Sequence, residues 1–244
     1  YEGVFCAQRT SGGTTIDTGN AGNFMLMRSG RTQTFIFRMY DDIGNAYQVY
    51  SPYIVQNRRY RIVCAFDPTV GNGTMTISLD GTIVDTRANV LDGPFSDDTY
   101  ANNCIGCLFP GAYYPANMDM YKLAVFNRVV TPRELNTIVF GTPYAISDLV
   151  GLRIDSIKFE YTNGVVYIPF ESSVTDVISN TVITRQANPV TFTDGIVGQC
   201  ALFSGNTSAG ALPQQYYTMP NVFTGYPLSI AFRFKPLLTS YAGH

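Results

Sequence analysis

Histidine is almost missing from this chain of 244 residues; the single one is His244. Without an internal imidazole there is no Ser-His or Cys-His nucleophile pair and no His ligand for a structural zinc. Charge is also scarce, at 14% of residues with a net charge of −2. The pI is near 5.3, so no long-range basic field exists to attract nucleic acid or anionic lipid, and neither is expected as a partner. No apolar run approaches the roughly 18 residues that span a bilayer, so membrane insertion is not expected. A phosphate loop of the G-x-x-x-x-G-K-[ST] type is missing as well. Lysine is rare: of 16 basic residues only Lys122, Lys158 and Lys235 are lysines. The balance is arginine, which with abundant tyrosine suits interfaces, where planar groups stack and donate several hydrogen bonds.

Cysteine is present in odd number, as Cys6, Cys64, Cys104, Cys107 and Cys200, so the set cannot pair fully within one chain. Cys64 alternates with Tyr60, Ile62 and Phe66 and reads as a buried thiol. Cys104 and Cys107 have the spacing of half a zinc site or a redox pair. Zinc would need a second pair or a histidine, and a redox pair a helix start, which Ile105-Gly106 does not provide.

The organising stretch is residues 117–141. From 119 to 126 the residues alternate, which predicts a strand with Asp119, Tyr121, Leu123 and Val125 on one face and Met120, Lys122, Ala124 and Phe126 on the other. A short helix is predicted near 131–139: Thr131 is an N-cap, Pro132 fits the first helical position, Glu134 completes a capping box, and Gly141 ends the turn. Before this stretch, strands are expected at 1–6, 23–27, 34–40, 46–53, 58–66, 74–79 and 82–85, with a hairpin at Asp80-Gly81. After it, strands are expected at 152–161, 165–170, 190–192, 198–203 and 228–234, with Pro169 confining its strand to an edge or a strand end. Regular short strands with polar turns predict an all-β antiparallel β-sandwich.

Several short motifs carry a resemblance. Residues 60–63 followed by 78–84, Ile105-Gly106, and Met118-Asp119 through Asn127-Arg128 with Thr131 and Glu134-Leu135 form one set. Pro169-Phe170, Asp176, Ser179-Asn180, Gly198, 203–205, 229–232 and Lys235-Pro236 form another. Together they resemble the laminin G-like branch of the concanavalin A-like lectin and glucanase superfamily, a two-sheet jelly roll. The resemblance implies that residues 1–142 form one such sandwich lacking its first strands, 143–164 a connecting segment, and 165–244 the opening part of a second, all within a longer tandem-domain protein. The rival arrangement is a permuted single sandwich in which the tail supplies strands that the head lacks. Tryptophan is absent, with Tyr60 and Phe232 standing in, which removes a Trp-based sugar platform.

Glucanases of this superfamily need two carboxylates spaced E-x-D-x-E on one strand; Glu2, Glu134, Glu160 and Glu171 do not supply that pattern, so no enzymatic activity is expected. Binding is the expectation that remains. Relatives hold Ca²⁺ or glycans in rim loops, which points to Asp41 and Asp42, Asp97 and Asp98, or Asn117 with Asp119 for calcium. For a glycan or glycoprotein the candidates are Tyr113, Tyr114, Asn117 and Asp119, with Tyr47, Tyr50 and Tyr53 as further aromatic faces. Asn72-Gly73-Thr74 and Asn206-Thr207-Ser208 are N-glycosylation sequons. The expected function is a surface recognition or adhesion module, extracellular or on a virion. The alternative is a structural component of a virus particle, such as a minor capsid, fibre or spike protein, packing against neighbouring domains or subunits.

Overall fold

A computed structural model describes residues 2–11, 14–15, 24–40, 45–90, 100–107, 116–130, 164–170, 172–179, 181–185, 189–195, 199–204, 215–219 and 228–237. Among these residues every regular element is a strand. In chain order they are β1 (Glu2–Ser11), β2 (Thr14–Thr15), β3 (Phe24–Ser29), β4 (Thr34–Tyr40), β5 (Ala46–Tyr50), β6 (Tyr60–Asp67), β7 (Thr74–Leu79), β8 (Thr82–Arg87) and β9 (Tyr100–Ile105). There follow β10 (Met118–Phe126), β11 (Gly164–Ile168), β12 (Thr175–Asp176), β13 (Thr181–Val182), β14 (Thr184–Arg185), β15 (Thr191–Asp194), β16 (Gln199–Phe203), β17 (Tyr217–Met219) and β18 (Leu228–Pro236). The short helix expected near 131–139 and the strand expected at 152–161 lie outside the described residues.

The first sheet runs β14-β17-β9-β1-β3-β4-β5, with β2 beside β1; the second runs β15-β16-β10-β18-β6-β7-β8, with β11 beside β10. The pairings in both sheets are antiparallel. Alternation explains the layering. Tyr60, Ile62, Cys64 and Phe66 of β6 and Leu228, Ile230, Phe232 and Phe234 of β18 are buried in one core cluster with Phe24, Leu26, Phe35 and Phe37 of the first sheet. Phe35 of one sheet and Phe234 of the other have ring centroids 4.4 Å apart. Each such phenylalanine contributes about 1.5–3 kcal/mol through burial. At one edge the sheets are tied together, because the Tyr50 amide donates to Asp85 Oδ2 at 2.8 Å and Arg87 lies over the Tyr47 ring.

One expectation about organisation needs correcting. β18, from the tail, is hydrogen-bonded on one side to β6 and on the other to β10, both from the head. β16 and β11 add to β10, and β17 adds to β9. Described strands from the head, β1 to β10, and from the tail, β11 and β14 to β18, therefore share both sheets, the pairing that a permuted single sandwich requires and that two sandwiches in succession do not supply. Motif order misled because a strand pairs according to its apolar face, and β6, β10 and β18 expose complementary ones.

The phase of β10 needs a second correction. Met118, Met120, Leu123 and Val125 belong to the core, while Ala124 and Phe126 pack on the opposite face. A bulge between Met120 and Lys122 leaves Tyr121 without a partner on β18, so the alternation changes phase there. Local turns follow their residues. Asp80 and Gly81 have φ of 50° and 90°, the two left-handed positions of the two-residue hairpin expected at this dipeptide. Asp176 is buried and accepts from the amides of Tyr167, Ile178 and Ser179 at 2.8, 3.1 and 3.2 Å, which ties the β12–β13 hairpin to β11.

Candidate functional site

The bulge in β10 has a chemical consequence on the outer face of the second sheet. Lys122 lies directly opposite Arg233 of β18, and Arg233 lies directly opposite Arg61 of β6. The next residues in each strand, Leu123, Phe232 and Ile62, point into the core, so the three cations form one row across three adjacent central strands. Neighbouring strands are ~4.8 Å apart, so the row is short and dense in charge. Directly opposed like charges destabilise a sheet. Asp80 stands at the end of the row: its amide donates to the Arg61 carbonyl at 2.8 Å, and its Oδ1 accepts from the Arg61 amide at 2.9 Å. Its other oxygen lies 3.6 Å from Arg58.

Tyr121, displaced outward by the bulge, anchors two of the arginines. Arg59 Nε donates to its hydroxyl at 3.0 Å, and the guanidiniums of Arg59 and Arg233 lie 5.4 and 5.7 Å from its ring centroid. Burial raises the Tyr121 hydroxyl above its ordinary range, against the pull of the Arg59 hydrogen bond. Burial also lowers Arg233, and Arg61 and Arg59 add to the effect by charge repulsion. Arg59, Tyr60, Arg61, Asp80 and Arg233 line a cleft of about 220 Å³. Its donors are guanidiniums and its acceptor is one carboxylate, a set that can fix hydroxyls or an oxyanion.

Asp119 and Lys235 face each other across β10 and β18 one step away and form an ion pair. The hydrogen bond to Asp119 holds the Lys235 ammonium above the usual lysine range. Burial, reinforced by the Asp119 charge, pushes the nearby Cys200 thiol up.

Of the residues expected to bind ligand, Asp119 lies on β10 and Asn117 immediately before it, and neither lines the arginine cleft. Asn117 is half-buried and its carbonyl accepts from the Leu237 amide at 3.1 Å; Asp119 is buried and committed to Lys235. Tyr113 and Tyr114 lie outside the described residues, as do Asp41, Asp42, Asp97, Asp98 and Asn206. Tyr47 is buried in the core, whereas Tyr50 and Tyr53 are exposed. Asn72 is exposed in the turn between β6 and β7, with φ of 53°. The five cysteines are buried, with Cys6 and Cys104 opposite each other on β1 and β9. Among the described residues no group of three or more acidic, thiol or imidazole side chains is placed to hold a metal ion.

Sequence reasoning passed over Arg59, Arg61 and Arg233. Alternation within 58–66 and 228–234 already turns Arg61 and Arg233 away from the core; what it lacks is the knowledge that the two strands are neighbours.

No protein family, characterised protein or solved structure was found to match the chain. The likeness to laminin G-like domains rests on the sequence motifs alone.

Proposed function

We propose that this protein is a non-enzymatic recognition module of the concanavalin A-like jelly-roll type, displayed on a cell or virion surface and binding a glycan. The observation that carries this reading is the preformed polar cleft on the outer face of the second sheet. A shallow site with few, converging polar groups is what holds a sugar, and guanidiniums with one carboxylate acceptor supply donors and an acceptor for ring hydroxyls. The Arg59–Tyr121 stack keeps the cleft wall in place. The test is a glycan array probed with the intact protein. Signals that weaken when Arg59 is replaced by Ala support the reading; an array at background for every glycan overturns it.

A second reading is favoured by a different observation on the same sheet. Val63, Ala65, Val70, Ile83, Val129 and Val130 line an apolar groove of about 420 Å³. Exposed apolar grooves mark surfaces where proteins pack, which suits a structural component of a virus particle. Sedimentation decides between the two: a monomer that binds sugar supports recognition, and an obligate assembly without a glycan ligand supports the structural role.

A further inference from the structure

We propose that the ligand of this face carries an oxyanion, a sulfate, phosphate or carboxylate group, seated against the row formed by Lys122, Arg233 and Arg61. The inference rests on reading the outer face of the second sheet as a binding surface and specifies the class of ligand it selects.

Three observations carry it. First, the row is a like-charge arrangement built into the centre of the sheet by register, and not by loose surface side chains. Such a row opposes folding unless something compensates it. Second, the neighbouring acids compensate it only in part: the Asp80 charge favours the Arg233 cation through space, against the repulsion of Arg61 and Arg59. The Asp119 carboxylate is taken by Lys235, and the Asp80 carboxylate by Arg58 and the backbone amide of Arg61. Among the described residues no carboxylate bonds to the side chains of Lys122, Arg233 or Arg61. Third, Arg233 is held half-buried against Tyr121 and carries a pKa lowered by burial and by its two arginine neighbours, so its charge is poorly solvated. A half-buried guanidinium to which no described carboxylate is bonded is where a bidentate anion gains most.

Size and chemistry narrow the ligand further. The cleft of about 220 Å³ is smaller than the ~300 Å³ at which drug-sized pockets begin, so it takes one acidic group or one small ring. A neutral sugar would satisfy hydroxyl geometry yet leave three adjacent cations opposed to one another. Long nucleic acid is disfavoured because the chain as a whole is acidic, so only this patch would attract it.

The experiment has two arms. In the first, thermal unfolding of the wild type is followed against inorganic sulfate and inorganic phosphate, with chloride at matched ionic strength as the control. In the second, the glycan array is divided into sulfated, carboxylated and neutral sugars and read at low and high salt. Both arms are repeated with Arg61→Thr and Lys122→Thr, whose own unfolding curves report that they are folded. The expectation is a rise in midpoint with sulfate or phosphate beyond chloride, acidic glycans binding ahead of neutral ones, weaker signals at high salt, and affinity about tenfold lower in Arg61→Thr. Stabilisation by an inorganic oxyanion with an empty array supports the inference and overturns the glycan reading. Binding of neutral sugars alone overturns the inference and leaves the glycan reading standing. An oxyanion effect unchanged in both variants also overturns it, because the anion then binds elsewhere.

Discussion

Arg61 and Arg233 occupy directly opposed positions on β6 and β18, two arginines facing each other in the middle of a sheet whose inner face is phenylalanine and isoleucine. An opposed like-charge pair costs about 0.2–1 kcal/mol. Arg61→Thr replaces one member with a good strand former, and among the described residues the Arg61 side chain makes no hydrogen bond that would be lost. In buffer without multivalent oxyanions this substitution is expected to raise stability by about 0.5 kcal/mol in urea unfolding. A loss of 1 kcal/mol or more would show that the row is compensated within the protein.

A second pair behaves oppositely. Glu2 and Arg28 are buried opposite each other on β1 and β3, with Nη1 3.1 Å from Oε2, and Arg28 also reaches Gln33. Burial pushes the Glu2 carboxyl above its ordinary 4.5, and the Arg28 charge pulls against that rise. Arg28→Met leaves the carboxyl buried without its cation, which costs about 3–5 kcal/mol at neutral pH. An acid whose folded pKa is raised loses stability as pH rises from 4.5 through the folded value, since the folded state must give up a proton it prefers to hold. The penalty in Arg28→Met is therefore expected to shrink as pH falls toward 4.5. Chemical denaturation of both proteins from pH 4.5 to 8 checks this, and a penalty constant with pH would sink it.

Gly106 has φ of +87°, and a Cβ there would lie 2.5 Å from Cε1 of the buried Phe203. Gly106→Ala combines a strained backbone with a clash against a core ring, and about 3 kcal/mol of lost stability is expected. Trimming the ring in Gly106→Ala with Phe203→Leu should relieve the clash and leave the strain. A double mutant cycle with no coupling would contradict that account.

The thiols supply a fourth prediction. Cys6 and Cys64 are fully buried, and burial drives both well above the ordinary thiol range. Thiolate is the reactive form, so iodoacetamide at pH 8 should leave both unlabelled in the folded protein and label them in denaturant. Peptide mass mapping of the two samples reads the difference. Labelling of Cys6 at the denatured rate would mean that β1 opens readily.

Much of the local structure could be read from residue order. The strands at 34–40, 58–66, 74–79 and 228–234 follow their alternation, and the Asp80-Gly81 hairpin has the two left-handed residues its dipeptide demands. These features depend on neighbours within a few residues, which the chain states directly. The bulge at Tyr121 was not legible, because both phases of alternation put apolar residues on one face and only pairing with β18 selects between them. The cleft was not legible: its Arg59, Arg61 and Arg233 look like ordinary outward-facing strand residues, and the expected Asn117 and Asp119 are not among its lining residues.

By itself, then, the order of residues determined a β-sandwich class, the inward faces of most of the described strands and the positions of the tight turns among them, since period-two apolarity and left-handed turn residues are local properties. The insertion of β18 between β6 and β10, and with it the meeting of Lys122, Arg233 and Arg61, was decided only in three dimensions. Strand pairing is chosen by burial of complementary faces across long stretches of chain, and charges far apart in sequence become neighbours only as a result of that choice.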